Sequence, residues 1–221
     1  MTRESTPADS QSDGRSAPVR IGRIVSSHSH LDYVVEVFGD RDCEHPPEPH
    51  EREFGQPVYV DTDIDGTRRA VVGVIYDTQL VDPDQGRTGP RLSGDDQPQF
   101  TPAYVEERTT LAGVAMLGTA RLTDDGTIAE PSHRMPRWTM AVDDTVYRCP
   151  DAMTAAFHRV EDEVRLAYVD RLLDVAGDLG AEVVLAVIDR LRGLVDDQSR
   201  RVLDVVEEQV AWQASERRGV V

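Results

Sequence analysis

The sequence contains no lysine: all 24 of its basic residues are arginine, set against 41 aspartate and glutamate residues, for a formal net charge of -17. Without lysine a G-x-x-x-x-G-K-[ST] phosphate loop cannot be written, and G-x-G-x-x-G is missing as well, so nothing in the chain points to ATP hydrolysis. No G-x-S-x-G elbow is present, nor a Cys-His arrangement with supporting context for nucleophilic catalysis. Aromatic residues make up only 5% of the chain. Two cysteines, Cys43 and Cys149, stand far apart in sequence and form no disulfide framework, which fits a reducing compartment. No stretch approaches the ~20 continuous apolar residues that would span a bilayer. Residues 1–18 are polar rather than apolar and so do not read as a secretory leader. A cytoplasmic protein with no membrane contact is the expectation from these absences.

What is present is a globular mixture, 39% hydrophobic and 29% charged over 221 residues, enough for one or two domains with a packed core. The acids are spread along the chain rather than gathered in one block. A hydrated carboxylate surface of this kind stays soluble where salt shortens the Debye length to ~3 Å, and the composition resembles that of proteins from extreme halophiles. A mimic of nucleic acid or a binder of basic partners would instead favour one concentrated acidic run.

Residues 1–18 carry Ser, Thr, Asp, Gly and Pro and almost nothing to bury, and read as a disordered tail. VRIGRIVSS and LDYVVEVFG alternate apolar and polar residues about a short HSH turn and predict two antiparallel strands. A Pro-rich, charged loop follows. A strand around Val58 to Val60, a turn at Asp65-Gly66, and a strand from Ala70 to Tyr76 come next. That last strand is apolar on both faces, so both must be covered. Residues 82–102 form a second long loop, and Ala103 to Arg108 one helical turn. Thr109 to Leu122, with Gly113 and Gly118 inside it, reads as a bent strand of the kind that closes a barrel. Residues 127–144 form a third loop before the short strand TVYRC. Pro150-Asp151 then opens a helix whose apolar residues run from Met153 through Phe157, Val160, Val164, Tyr168, Leu172 and Val175 to Leu179 as one continuous stripe, with Glu161 and Arg165 paired on its exposed face. Gly177 and Gly180 punctuate it, and two further helices follow, built on Val184 to Leu194 and Val202 to Val210. The fold class expected is α+β: a small antiparallel β-barrel over 19–149, followed by a C-terminal α-helical segment over 150–221. Three such helices pack within the chain in the plainer reading; a homo-oligomer built through them is the other.

Candidate chemistry is sparse. His28, His30, Cys43, His45 and His50 carry zinc-binding side chains, but lack the tight C-x2-C type of pair that structural sites use, and surface histidines are the plainer reading. Asp61, Asp63 and Asp65 before Gly66 match the opening of a calcium loop. The Glu expected six residues after the glycine is Val72, so a hairpin with hydrated carboxylates is preferred. No cofactor and no metal are expected. Tyr33, Tyr59 and Tyr76 could stack bases, with Arg87, Arg91 and Arg108 on phosphates, although core packing accounts for the tyrosines more simply.

The stretches IGRIVSSHSHLDYVVEVFG, VVGVIYDTQLVDPDQGRTGPRLS and FTPAYVEERTTLAGVAMLGTAR together resemble the HAS-barrel family, named for the barrel shared by HerA helicases and ATP synthase subunits. The resemblance covers about residues 20–150 and implies a small barrel that mediates assembly. The motor domain that follows the barrel in the helicases has no counterpart here. The function expected is therefore a non-catalytic adaptor docking on a protein complex, such as a DNA-processing motor ATPase or nuclease, with Tyr76, Arg87, Arg91 and Tyr104 as contact residues chosen by type. Two alternatives stand beside it: a single-stranded nucleic-acid binder using the barrel face, and a carboxylate-dependent metal enzyme built on Asp61, Asp63 and Asp77.

Overall fold

The first two thirds of the chain form β1 (Arg20–Ser27), β2 (Asp32–Val37), β3 (Pro57–Ile64), β4 (Thr67–Val81), β5 (Thr109–Leu122), β6 (Ile128–Ser132) and β7 (Thr145–Arg148), with period-two alternation plainest in β1 and β2. The computed structural model describes residues 17–81 and 109–219. All neighbours are antiparallel, in the order β2-β1-β7-β3-β4-β5-β6, and an added pairing of β2 with β5 closes six of the strands into a barrel. The predicted hairpin at Asp65-Gly66 forms, with both residues at positive φ (52° and 75°) as a two-residue turn of the primed type requires.

β5 holds the barrel together because it serves two partners along one edge. Leu111 to Ala115 pair with β2, and Thr119 to Leu122 pair with β6. The switch falls at Gly118, where a Cβ would lie 2.1 Å from the Ser132 carbonyl oxygen. Only glycine allows the backbone of β6 so close. The bent strand expected from the two glycines is what the chain forms.

The strand from Ala70 to Tyr76 is covered on both sides, as its composition demands. Val71 and Ile75 join Ile21, Ile24, Val35, Val58, Val60, Val114 and Val146 inside the barrel. Ala70, Val72 and Val74 point outward into a second core, shared with Leu117, Cys149 and the helices. Each such aliphatic side chain contributes roughly 1.5–3 kcal/mol on full burial, so the outer layer matters as much as the inner one. One barrel end is closed by Trp138 and Met140: the Tyr33 hydroxyl accepts the Met140 amide at 3.2 Å, and the Arg69 guanidinium lies over the Trp138 ring.

The outer layer is made by α1 (Asp151–His158), α2 (Val169–Ala176), a 3-10 turn (Gly177–Leu179), α3 (Gly180–Arg192) and α4 (Asp197–Gly219). Two expectations are corrected here. The stripe from Met153 to Leu179 is not one helix. It is interrupted by a tight hairpin, β8 (Arg159–Val160) and β9 (Glu163–Val164), turned by Glu161 and Asp162, both at positive φ. Phe157, Val164, Leu166, Tyr168 and Leu172 still reach one core, so the apolar pattern is satisfied by a different backbone. Glu161 and Arg165 do pair, at 2.8 Å, but across this turn. The loop expected over 127–144 contains β6, whose Pro131 and left-handed Glu130 disguise an edge strand. The expected tail over 1–16, the loop at 82–102 and the helical turn at 103–108 lie outside the described residues.

Gly118→Ala is expected to lower stability by about 2 kcal/mol or more, because the added methyl must push β6 off β5. Urea unfolding of this variant beside Gly39→Ala, whose Cβ would meet only Asp42 Oδ2 at 3.8 Å and whose φ is not positive, separates the clash from the general cost of replacing a glycine.

Candidate functional site

Tyr76 is the one of the four residue-type candidates that falls among the described residues; Arg87, Arg91 and Tyr104 lie outside them. Tyr76 stands within β4 at the register shift between Ile75 and Asp77, its ring lies over Gly113 of β5, and its hydroxyl donates to Asp32 of β2 at 2.8 Å. It thus spans three neighbouring strands across the seam that closes the barrel. Burial, helped by the bond to the Asp32 carboxylate, pushes its phenol well above the ordinary range. Asp32 also meets His28 Nδ1 at 3.2 Å. Two pleat repeats along, Glu36 accepts from Arg23 at 2.6 and 2.9 Å, which raises the guanidinium pKa further. The outer face of β2 is therefore a row of engaged carboxylates between β1 and the β4-β5 hairpin.

Past Ile75, Asp77 to Gln79 of β4 pair with Leu111 to Gly113 of β5, which also pair with β2 in the barrel wall. Leu80 and Val81, paired with Thr110 and Thr109, run on past β2 as a short arm, and Leu80 is 73% exposed. The arm carries the chain into and out of residues 82–108, where Arg87, Arg91 and Tyr104 lie.

The metal candidates separate. His30 bonds the Pro136 carbonyl at 2.8 Å, and His28 is held by Asp32. Asp61 pairs with Arg68 across the β3-β4 hairpin, while Asp63 accepts the Gly66 amide at 2.9 Å. Asp77 accepts the Thr78 amide at 2.8 Å. Among the described residues no group of three or more His, Cys, Asp or Glu side chains is placed to hold a metal ion. Tyr33 and Tyr59 are buried, Tyr33 inside the barrel and Tyr59 stacked on Tyr147 against the helices at 5.3 Å. Burial pushes Tyr59 up to about 12.

A polar cluster that the sequence reading passed over sits between barrel and helices. His158, fully buried at the end of α1, bonds the Thr154 carbonyl through Nδ1 at 2.8 Å and the Tyr168 hydroxyl through Nε2 at 2.6 Å. A carbonyl oxygen can only accept, so Nδ1 carries the proton, and in the neutral ring Nε2 accepts from the phenol. His133 is wired in the opposite sense: Nε2 faces the Phe157 carbonyl at 3.1 Å and Nδ1 accepts the Ala167 amide at 3.2 Å. Both rings are satisfied as neutral imidazoles. Burial lowers the pKa of each, that of His158 to about 3. Arg171 reaches from α2 to the carbonyls of Leu117 and His133 and ties the cluster to β5. The available signal was His158 standing beside Phe157 in an apolar stripe. His133 lies in a loop and gave none.

His158 binds a proton in the unfolded chain below its ordinary value near 6.5 but resists it when folded, so its neutral form stabilises the fold above that pH. Stability is lost as pH falls from about 6.5 toward about 3. His158→Gln, which keeps a donor and an acceptor but does not titrate, is expected to show a smaller drop in Tm between pH 7 and pH 4.5 than the parent chain. Tyr76→Phe is expected to cost about 1–2 kcal/mol at pH 7 through loss of the bond to Asp32, read by urea unfolding.

Among the comparisons with known proteins, a family model described as a domain of unknown function (DUF8166) matches residues 5–221. No curated protein matches the chain.

Proposed function

For this chain, which belongs to the DUF8166 family, we propose the role of a non-catalytic barrel adaptor that docks on a protein partner through the β4-β5 arm and the segment it carries. The observation that supports this most directly is the arm itself. The ribbon of Leu80 and Val81 with Thr109 and Thr110 runs past the end of the β2 pairing, exposes Leu80, and adjoins residues 82–108 in the chain, while the rest of β4 and β5 is fixed by two cores. A contact residue carried on a paired ribbon, as Leu80 is, loses little backbone entropy on docking. Arg87, Arg91 and Tyr104, residue types that anchor interfaces, belong to that segment. The buried histidines, which could otherwise serve as acid or base, are occupied in holding helices to barrel.

The six-stranded antiparallel barrel is in keeping with the resemblance to the HAS-barrel family, and a complex built round a motor ATPase or nuclease is the partner class that resemblance offers. On that reading the helices form the barrel's outer layer, and the cytoplasm, at high salt, is where the protein works.

The test is recovery of the tagged chain from its own cytoplasm, followed by binding measurements with the purified partner. The expected outcome is a protein partner in fixed stoichiometry, whose affinity falls about tenfold or more in Leu80→Asp and in Arg87→Ala/Arg91→Ala. Unchanged affinity in both variants would refute docking through the arm. Tight binding of single-stranded oligonucleotides at high salt would favour the nucleic-acid reading instead, and stoichiometric divalent metal after dialysis the metal-enzyme one.

A further inference from the structure

α4 buries one face and leaves a second apolar stripe uncovered. Leu203 and Val210 are buried against the rest of the chain, with Val206 packed beside them. Val202, Val205 and Trp212 are exposed, Val205 and Trp212 at 64% and 61%. With Gln198 and Gln209 they fall at alternating spacings of three and four, the spacing of a seam that meets another helix.

The charges on the helix divide in the same way. Those turned toward the body are paired within the chain: Arg192 from α3 holds both Asp204, at 2.8 Å, and Glu207. Arg201 and Glu208, which flank the exposed stripe on its outer side two turns apart, have no partner among the described residues. A helix bearing an unpaired Arg and an unpaired Glu on one flank of an apolar stripe is complementary to itself run backwards, because a twofold axis matches each charge to its opposite twice.

We propose that this face of α4 pairs with the same face of a second copy of the chain, antiparallel and about a twofold axis. Two registers keep the stripes in contact. Placing Val202 opposite Trp212 of the second copy sets Glu208 against Glu208, which is repulsive. Placing Val202 opposite Val205 of the second copy sets Arg201 against Glu208 in both directions and Gln198 against Gln209. Charge therefore selects the second register, and Trp212 then falls beside the turn that precedes the facing helix. The contact is small, with three apolar anchors from each copy, so the dimer forms in the micromolar range rather than being obligate.

The experiment is sedimentation of the full chain over a concentration series up to about 0.5 mM, in the lowest salt at which circular dichroism shows it folded. A monomer–dimer equilibrium is expected. Val205→Asp and Trp212→Ala are expected to weaken it about thirtyfold or more, since each change enters the interface twice. Arg201→Glu and Glu208→Arg are each expected to weaken it roughly threefold to tenfold, and the double variant to restore it. A chain that stays monomeric throughout, or a dimer indifferent to Val205→Asp, would overturn the proposal. So would two single charge variants that weaken association without rescue by the double variant. The substituted residues are exposed, so circular dichroism is expected to report an unchanged fold in every case.

Discussion

The structure depends on a wall that must be buried from both sides. β4 and the middle of β5 are apolar on each face, and no barrel can hide its own exterior. The inner face is satisfied when β2 meets β5, and the outer face only when α1, α2 and α3 lie against it. Barrel and helices are therefore parts of one cooperative unit although the chain writes them one after the other. The close approach of α3 to the barrel shows how tight the joint is: Gly55, at φ 78°, lies where a Cβ would come within 2.5 Å of Ala186. Arg190 then reaches from the same helix to Glu53 at 2.6 Å.

Much of this was legible in the residues. Alternation gave the strands, Asp65-Gly66 gave the hairpin, and the two-sided apolar run from Ala70 to Tyr76 required an outer layer before any helix was placed. Other features were not legible, for identifiable reasons. The helical period from Met153 to Leu179 survives in a chain that folds back at Glu161-Asp162, because the hairpin returns Val164 to the side that a further turn of helix would have reached. β6 carries a proline and a left-handed residue, so its claim to be a strand comes from β5 and not from itself. The candidate site was legible only as residue types. That Tyr76 would be drawn to Asp32 depends on a pairing of β2 with β5 that no local pattern announces, and the fully satisfied state of His133 and His158 depends on carbonyls donated by α1.

The exclusive use of arginine has consequences throughout. A guanidinium can serve several acceptors at once, and does so here: Arg192 engages Asp189, Asp204 and Glu207, and Arg171 holds two carbonyls on different elements. With 41 acids and 24 basic residues, each cation must serve more than one anion if local repulsion is to be limited. Arg192 joins α3 to α4 and Arg190 joins α3 to the loop before β3, so the cations sit at joints between elements as well as on the open surface.

The β4-β5 arm also bears on how this protein can change over time. Val81 and Thr109 face each other across the pairing of β4 with β5, so the wall ends in two anchor points side by side. Neither anchor belongs to either buried core, so substitutions at these two positions leave both cores as they are. The barrel thus offers a handle whose grip can be recut without renegotiating the fold.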